Sequence, residues 1–490
     1  MSKKHIIGID LGTTTTLVAR FNDAGKSEIT NNAFGSPITP SVIHFETSGE
    51  VIVGAEAKKF LGTGTPNVFA EFKREMGTDK SWPMGNDKVT PVDLNALLLK
   101  KVVADYADQY GQPDTIVITW PANYRNEQRE ATKEAASRAG LKIEYYIEEP
   151  TAAALFYATD KPLSGKYLVY DFGGGTFDVT LIEAQGNDIT VLYQDGVQQL
   201  GGKDLDNALI KIIGDKFRAK TGDEFDALDC NFSKLDIESA KHTLSSKDKT
   251  QIRVVSGKHG PVVIDLSRDE FEAGISHLVS QAEMACENVL RCGKDDPSQY
   301  VKKSEIKEIF MAGGTSRVPA MQVSVERLFG KKPTVKNPDQ AIALGAAIYA
   351  AINTPGLSGL QKAAVAGIDV SLITPHFFGT SVLENDRSGV FNDTVIAKGE
   401  KLQFKATRTY YLVSDNQTRV KCDVTQSAIE ERNIEFVTTI WEGDLPLPPG
   451  RSAGDPIEVV YEYDINGTMK CSFKDNGSGG RSTQIDLRPS

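Results

Sequence analysis

Two glycine-rich turns, each preceded by an aspartate, are the parts of this sequence best suited to chemistry. Asp10 precedes Gly12-Thr13-Thr14, and Asp171 precedes Gly173-Gly174-Gly175-Thr176. Glycine lets backbone N–H groups approach a phosphate closely, and the threonine hydroxyls add hydrogen-bond donors. Two carboxylates that face each other across a triphosphate would bind Mg²⁺ through its waters. The matched pair of turns therefore predicts a clamp for the phosphates of a nucleotide.

Apolar strands are predicted on both sides of each turn, over residues 6–10 and 17–21 and again over 167–171 and 177–182. A strand–turn–strand unit is a hairpin, and the sequence contains no GxxxxGK[ST] segment, so a P-loop is excluded. Either hairpin alone would be an ordinary turn. Its recurrence about 160 residues later predicts two lobes with similar cores. A third glycine turn, Gly313-Gly314, supports nucleotide binding.

The elements that must position these turns alternate between strands and helices. Helices are predicted over 94–110, 127–139 and 341–352, the last of them apolar on nearly all sides and therefore buried. Residues 353–359 have the composition of a linker. From residue 374 onward, short alternating segments separated by Gly, Asn and Pro predict a β-sandwich. The chain is expected to be α/β first and all-β afterwards.

Composition excludes several classes of function. The 490 residues carry 55 basic and 66 acidic side chains, a net charge of −11, which disfavours a nucleic-acid partner. Five scattered cysteines suggest a reducing compartment rather than a disulfide framework. No apolar run is long enough for a membrane span, and no signal peptide precedes the first strand. We expect a cytoplasmic protein with no membrane partner.

Six segments, in order along the chain, resemble the successive motifs of the Hsp70 family of molecular chaperones. They are Ile7–Thr14, Ile147–Leu155, Tyr170–Asp178, Leu200–Asp206, Glu238–Ser245 and Ala312–Pro319. The resemblance implies an actin-like two-lobed ATPase domain over 1–360, an interdomain linker over 361–374 and a β-sandwich substrate-binding domain over 375–490. It also implies ATP or ADP with Mg²⁺, and K⁺ as a further candidate. The implied activity is ATP hydrolysis that controls the binding of extended hydrophobic peptide.

The resemblance assigns roles to individual residues around the triphosphate. Lys73 would reach the γ-phosphate and the attacking water, and Glu149 would link the metal-site water to an interlobe switch. The metal carboxylates are Asp10, Asp171 and Asp178, and the phosphate-contacting residues are Gly12, Thr13, Thr14, Gly173, Gly174, Gly175, Thr176, Gly201 and Gly202. A lone lysine such as Lys73 is ordinarily a solvated surface residue, so only its motif promotes it.

Further assignments concern adenosine, coupling and peptide. The adenosine set is Glu238, Lys241 and Ser245 on one helix face, with Arg317 on the other side of the base and Asp339 as a ribose-side acid. Gly313 and Gly314 are also assigned to ATP binding. Pro121 and Arg129 resemble a proline switch and a relay arginine that couple ATP to the β-domain. The peptide pocket would contain Thr380, Leu383, Tyr410, Val413 and Val420, where the family commonly has an aliphatic residue at position 380. Without the resemblance, these would be a solvated helix face and a sandwich core.

Four features differ from the family pattern. The segment from Lys73 to Leu94 is short, as in specialised HscC-like bacterial members, and the linker stretch 367–374 is less apolar than usual. Tyr145 and Glu148 replace a basic residue and an asparagine that help engage J-domain proteins. The sequence ends at Ser490, where a helical lid would begin, so a protein without a lid and a shortened chain are both possible. Expected partners are unfolded polypeptide, a J-domain co-chaperone (dedicated or general) and a nucleotide-exchange factor.

Two other functions stay open. A regulatory subunit that binds nucleotide, hydrolyses it weakly and holds one dedicated partner fits the altered linker and Thr380. The retained Lys73, Glu149 and Thr176 argue against it. A sugar kinase of the actin-like superfamily would need a carboxylate base in a sugar cleft, which the C-terminal sandwich and the Ile147–Leu155 segment disfavour.

Overall fold

The helices and strands of the first 369 residues alternate as the sequence predicts. The computed structural model describes residues 4–84, 87–122, 124–159, 163–186, 188–226, 234–292, 297–357, 359–371, 374, 376–384, 386, 388–464, 469–476 and 484–487. The elements up to the second hairpin are β1 (Ile6–Leu11), β2 (Thr15–Phe21), β3 (Ser27–Ile29), β4 (Thr39–Pro40), β5 (Val42–Phe45), β6 (Val51–Val53), α1 (Ala55–Lys58), β7 (Val68–Ala70), a 3-10 helix (Phe72–Glu75), β8 (Trp82–Met84), β9 (Asp87–Val89), α2 (Pro91–Tyr110), β10 (Thr115–Trp120), α3 (Asn126–Arg138), β11 (Tyr145–Glu148) and α4 (Glu149–Ala158).

The first sheet contains the first glycine turn. Its strand order is β11-β10-β1-β2-β3, with β4 paired to β2. Strand β1 is parallel to β10 and antiparallel to β2, so the hairpin predicted around Gly12 is confirmed. Every residue of β1 is buried, as expected for a strand covered on both faces.

The second hairpin begins the next set of elements. They are β12 (Leu163–Phe172), β13 (Phe177–Gly186), β14 (Asp188–Val197), α5 (Gly202–Thr221), α6 (Lys234–Ser246), β15 (Lys249–Ser256), β16 (Gly260–Ser267), α7 (Arg268–Gly274), α8 (Ser276–Arg291), β17 (Ile306–Ala312), a 3-10 helix (Gly314–Arg317), α9 (Pro319–Phe329), β18 (Thr334–Val335), α10 (Ala341–Asn353), α11 (Gly359–Val365) and β19 (Asp369–Ser371), with further 3-10 helices at Pro297–Gln299 and Lys303–Glu305.

The second sheet repeats the arrangement of the first. Strands run in the order β18-β17-β12-β13-β14. Strand β12 is antiparallel to β13 and parallel to β17, as β1 is antiparallel to β2 and parallel to β10. The predicted internal repeat is therefore confirmed in the topology of both lobes.

Helices α4 and α10 pack closely through a glycine. A Cβ on Gly345 would lie 1.7 Å from the carbonyl oxygen of Ala152, so only glycine permits this approach. On the other side, a Cβ on Gly8 in β1 would lie 2.2 Å from the backbone nitrogen of Ala347. Residues 341–351 of α10 are all buried, which confirms the prediction of a buried helix.

Helix α2 begins three residues before the predicted start. Pro91 occupies its first turn, and the Thr90 hydroxyl accepts a hydrogen bond from the Asp93 backbone N–H at 3.2 Å. The Asp93 carboxylate in turn accepts the Thr90 backbone N–H at 2.9 Å. This capping box fixes the helix start, whereas the apolar periodicity begins only at Leu94.

Residues 359–365, which lie across the expected start of the linker, form a short helix. Its Gln361 side chain donates to the Phe21 carbonyl oxygen at 3.4 Å, so α11 belongs with the first sheet. The chain divides into two compact units, residues 1–189 with 193–369, and residues 190–192 with 370–490. The first unit thus extends about nine residues beyond the expected boundary at 360.

The second unit is built from strands. They are β20 (Phe377–Leu383), β21 (Val390–Ile396), β22 (Phe404–Tyr411), β23 (Arg419–Ser427), β24 (Thr438–Pro446), β25 (Pro456–Tyr463), β26 (Met469–Asp475) and β27 (Gln484–Leu487), with a 3-10 helix at Ile434–Phe436. Two sheets, β21-β20-β23-β24 and β22-β25-β26-β27, share one apolar core that includes Phe378, Val424 and Tyr461. The fold is an actin-like, two-lobed α/β architecture followed by a β-sandwich.

Two global expectations concern the environment of the protein. Within the described residues, no helix is long and apolar enough to cross a membrane. The cysteines in the same residues, Cys286, Cys292, Cys422 and Cys471, form no disulfide bonds with one another.

Candidate functional site

The two glycine turns lie directly against each other. Thr14 Oγ1 is 1.9 Å from the position that a Cβ on Gly174 would take, and Thr13 Oγ1 is 2.6 Å from that of Gly175. A larger residue at either glycine would push the turns apart. The structure thus brings together the two segments that the sequence predicts to clamp phosphates from opposite sides.

The start of α5 forms a third layer behind the second turn. The Gly202 backbone N–H donates to the Gly173 carbonyl oxygen at 3.0 Å, and a Cβ on Gly201 would lie 2.5 Å from the Gly175 nitrogen. The Thr315 hydroxyl also donates to the Gly173 carbonyl oxygen, at 2.8 Å. These bonds fix the backbone of the turn, and Thr315 was not predicted from the sequence.

Three carboxylates surround the turns and are buried. Asp10, Asp171 and Asp178 are 8%, 3% and 0% exposed, and the last two are directly opposite across the β12–β13 hairpin. Like charges at such a position destabilise a sheet, which suggests that a bound cation offsets the repulsion. Asp171 Oδ1 has no hydrogen-bond partner within the described part of the chain.

The pKa values of two of these aspartates are raised, as expected for several carboxylates buried close together. Burial raises the pKa of Asp10 to about 7, with repulsion from Glu149 adding to the effect and attraction to Lys73 opposing it. Burial also raises the pKa of Asp171 well above its usual range, and Glu149, Asp178 and Asp10 add to it. This carboxylate set has the chemistry to hold Mg²⁺. In the described ranges, no group of three or more His, Cys, Asp or Glu side chains is arranged to hold a metal ion by itself.

Lys73 and Glu149 form a buried ion pair beside these carboxylates. The Lys73 ammonium lies 2.6 Å from Glu149 Oε1, and the side chains are 6% and 8% exposed. Burial opposes the charge on Lys73, but attraction to Glu149, Tyr124 and Asp10 leaves its pKa raised. The Tyr124 hydroxyl donates to the Lys73 carbonyl oxygen at 3.3 Å and holds the 3-10 helix in place. The lysine singled out by its motif is therefore a buried cation paired with Glu149.

The predicted adenosine residues on α6 have different environments. Glu238 pairs with Lys58 of α1 at 2.6 Å, and Lys241 pairs with Asp206 at 2.7 Å and donates to the Gly202 carbonyl oxygen at 3.1 Å. Only Glu238 of the predicted set lines the neighbouring cavity of about 530 Å³. The Ser245 hydroxyl donates to the Lys241 carbonyl oxygen at 2.9 Å.

The cavity itself has a lining that the sequence did not predict. Its walls are Lys58, Leu235, Glu238, Ser239, His242, Thr243 and Ser246. Burial lowers the pKa of His242. The charges of Glu238 and Asp206 act to raise this pKa, whereas those of Lys241 and Lys58 lower it further. A lone lysine and a lone histidine carry no recognisable sequence signal, so only the fold reveals Lys58 and His242 here.

Arg317, predicted on the other side of the base, forms an ion pair with Asp339, the predicted ribose-side acid. Arg317 Nε donates to Asp339 Oδ1 at 3.1 Å. Gly313 has a left-handed φ of 76°, and a Cβ on it would lie 2.7 Å from Asp171 Oδ1. A Cβ on Gly314 would meet open space. Gly313 therefore packs directly against Asp171, one of the three buried aspartates.

The predicted relay arginine takes part in a second buried ion pair. Arg129 Nη2 lies 2.9 Å from Glu148 Oε1, and the guanidinium stands 5.0 Å from the centre of the Trp120 ring. Pro121 follows the last residue of β10, and its carbonyl oxygen accepts the Tyr124 N–H at 3.2 Å. Glu148 is 2% exposed, so its side chain does not form part of an exposed surface for a J-domain partner.

The predicted pocket residues of the second unit are less uniform. Thr380 is buried, and its hydroxyl donates to Asp423 Oδ1 at 2.9 Å. The Tyr410 hydroxyl donates to Asp393 Oδ2 at 2.7 Å. Residues Leu383 and Val420 are half-buried, and Val413 is 43% exposed. The position where an aliphatic residue is common is thus part of a polar network.

Comparison with protein families matches the chain to the Hsp70 family, described as "Hsp70 protein", over residues 6–89 and 80–490. The chaperone protein DnaK of Thermosipho melanesiensis is 35% identical over 497 residues, which cover 99% of this chain and 80% of that protein. The DnaK proteins of Thermotoga neapolitana and Thermotoga maritima are each 36% identical over 498 residues, with the same shares covered.

Proposed function

This chain belongs to the Hsp70 family, and we propose that it is an ATP-dependent molecular chaperone whose first unit hydrolyses ATP to control peptide binding by the second. The observation that supports the ATPase most directly is the apposition of the two glycine turns beside the Lys73–Glu149 pair. An ordinary structural hairpin has no need of an opposed partner, buried carboxylates and a buried lysine at once.

In this proposal the two turns, which touch each other in this structure, move apart to admit the phosphates between Thr13-Thr14 and Gly173–Thr176. Asp10, Asp171 and Asp178 would hold Mg²⁺, which supplies neutralisation of the charge on the phosphate oxygens. Hydrolysis adds water across the bond between the γ-phosphorus and its bridging oxygen, giving ADP and phosphate. The Lys73 ammonium stabilises negative charge that develops on the γ-phosphoryl group and orients the attacking water.

Glu149 acts on Lys73 and on the metal-site water. The Glu149 carboxylate lies 2.6 Å from the Lys73 ammonium, so it holds that cation toward the three buried aspartates rather than toward solvent. Adenosine would lie between the α6 side, where Glu238 lines the cavity, and the Arg317–Asp339 side. K⁺ is a further candidate at the phosphates.

The second unit would bind extended, hydrophobic polypeptide along a strand edge. Main-chain hydrogen bonds would supply affinity, and pockets near Leu383, Tyr410, Val413 and Val420 would select side chains. Coupling between two sites is reciprocal for binding, so peptide and nucleotide should each change the affinity for the other. A J-domain co-chaperone and a nucleotide-exchange factor are the proposed partners, and the cytoplasm is the proposed compartment.

The proposal is tested by single-turnover ATP hydrolysis with and without a panel of unfolded peptides. Wild-type protein should hydrolyse ATP, and peptide should raise the rate. Lys73→Ala should lower the rate by about 100-fold or more while ATP affinity changes only a few-fold. Normal turnover in that variant would refute the role of Lys73, and peptides that neither bind nor change the rate would refute the chaperone function.

A further inference from the structure

The 3-10 helix that carries Lys73 also carries a second cation, Arg74, that reaches the other lobe. Phe72, the first residue of the helix, and Met76, which follows its last residue, belong to the apolar core of the first lobe. The helix is therefore anchored in that lobe. Arg74 Nη2 donates to the Gly175 carbonyl oxygen at 2.7 Å and to Asp204 Oδ2 at 2.9 Å. Both acceptors belong to the second lobe.

Arg74 is held in this position from several directions. Its side chain is only 11% exposed. Its acceptor Asp204 is fixed at the start of α5, where the same carboxylate oxygen accepts the Gly201 backbone N–H at 2.8 Å. Beside it, Glu71 of the first lobe pairs with Lys203 of α5. Two cation–carboxylate contacts thus join one short segment of the first lobe to one helix start of the second.

The bond to Gly175 has a consequence for the turn itself. A peptide group is planar and trans, so a carbonyl oxygen and the following N–H point in opposite directions. Arg74 therefore orients the Gly175–Thr176 peptide and directs the Thr176 N–H away from the guanidinium. The same guanidinium adds positive charge behind the glycine turn.

We propose that Arg74 is a positioning residue for ATP hydrolysis, which sets Lys73 and the Gly175–Thr176 peptide in register only when the two lobes are closed. This inference rests on the proposed ATPase function. Arg74 itself acts through Lys73, its neighbour on the 3-10 helix, and through the turn. Without Arg74, Lys73 and Glu149 should stay paired within the first lobe, but their position relative to the Gly175–Thr176 peptide of the second lobe should no longer be fixed.

Single-turnover hydrolysis and ATP affinity test this role separately. Arg74→Ala should lower the single-turnover rate by about 10- to 100-fold, with ATP affinity within about threefold of wild type. Arg74→Lys should recover part of the rate, because an ammonium keeps the charge and can donate to two acceptors, but the lysine chain does not reproduce the position of Nη2, which meets both acceptors here. Arg138→Ala is the matched control, since Arg138 also bonds two carboxylates, on the exposed side of α3.

The decisive measurement is a double-mutant cycle with Lys73→Ala. If Arg74 positions Lys73, Lys73→Ala should cost at least tenfold less rate in the Arg74→Ala background than in wild type. Additive losses would overturn the proposal, as would an Arg74→Ala rate within twofold of wild type or a loss of ATP binding.

Two further arms keep the test decisive. If Arg74→Ala does not fold, Asp204→Asn takes its place, because asparagine keeps an oxygen for Gly201 and removes the charge that Arg74 meets. A several-fold lower rate in that variant supports the proposal, and an unchanged rate overturns it. Absence of hydrolysis by wild-type protein would refute the ATPase function instead, so the two failures are distinguishable.

Discussion

The Arg129 guanidinium lies 2.9 Å from the Glu148 carboxylate, and only 3% of either side chain is exposed. Glu148 immediately precedes Glu149, whose own carboxylate binds Lys73. The last residue of β11 and the first of α4 thus place two adjacent carboxylates in two separate buried ion pairs. One pair faces the candidate nucleotide site, and the other holds the arginine proposed to couple the two units.

The Arg129–Glu148 pair should be important for stability. Glu148→Gln leaves the guanidinium buried without a counter-charge, so we expect a loss of about 3 kcal/mol in the free energy of unfolding, measured by urea denaturation. Glu134→Gln is the control, because Glu134 pairs with Arg138 on the exposed face of α3, and should cost less than about 0.5 kcal/mol. Equal, small effects of both changes would contradict a tightly buried pair.

Two helical glycines should respond to alanine with opposite signs. Gly345→Ala in α10 places a methyl group 1.7 Å from the Ala152 carbonyl oxygen, so we expect a loss of about 1–3 kcal/mol of stability. Gly214→Ala in α5 meets nothing closer than 3.6 Å, and should add about 0.5–1 kcal/mol because alanine loses less backbone entropy. Thermal unfolding of both variants checks the pair. Stabilisation by Gly345→Ala would show that α4 and α10 do not approach this closely.

The Lys58–Glu238 ion pair should slow the release of bound nucleotide. It joins α1 to α6 along the cavity, and both side chains are about one quarter exposed. Lys58→Ala should therefore speed release of a fluorescent ADP analogue by about 2- to 10-fold in stopped-flow measurements. Lys59→Ala is the neighbouring control, since Lys59 pairs with Glu56 on the surface of the same helix. Similar release rates for the two variants would exclude this function of the pair.

His242 should titrate below the usual histidine range. Burial lowers its pKa from 6.5, and the charge of Glu238 acts in the opposite direction. Glu238→Gln should therefore lower the pKa of His242 further, as followed by NMR titration. Glu270→Gln on α7 should leave that titration unchanged. A higher pKa in Glu238→Gln would contradict the arrangement of charges in this cavity.

The pH dependence of stability has a definite sign at this residue. Because the folded-state pKa of His242 lies below 6.5, the unfolded chain takes up the proton first as the pH falls. The contribution of the neutral imidazole is fully present above about pH 6.5 and is lost as the pH falls below it. His242→Gln should remove this part of the pH dependence of unfolding.

Much of the architecture follows from local signals. The two hairpins were predictable because an apolar strand, an aspartate, a glycine turn and a second strand stand next to one another in sequence. Helix α10 was predictable because its apolar residues surround the helix axis. The start of α2 does not follow from hydrophobic periodicity, because the capping box that fixes it depends on hydrogen bonds of Thr90 and Asp93.

The pairings between distant residues were not predictable in the same way. Lys58 meets Glu238 across 180 positions, and Arg74 meets Asp204 across 130. From the sequence alone, a lysine or arginine could pair with any of many carboxylates. Only the packing of the two lobes against each other determines which carboxylate becomes its partner. The burial of Glu148 has a different cause, because its partner Arg129 is only 19 positions away but lies on another element of the same lobe, and the local sequence does not specify how the two elements pack.

Helix α10 supports β1 although about 340 residues separate Gly8 from Ala347. During synthesis, Asp10 and the first glycine turn therefore leave the ribosome long before the helix that backs their strand exists. Contacts of such long range form late and slowly in folding. A chain interrupted between residues 177 and 340 would have both glycine turns without the element on which the first of them rests. Nucleotide capture would then mark the completion of the first unit, and the captured nucleotide would stabilise only chains that have reached that point.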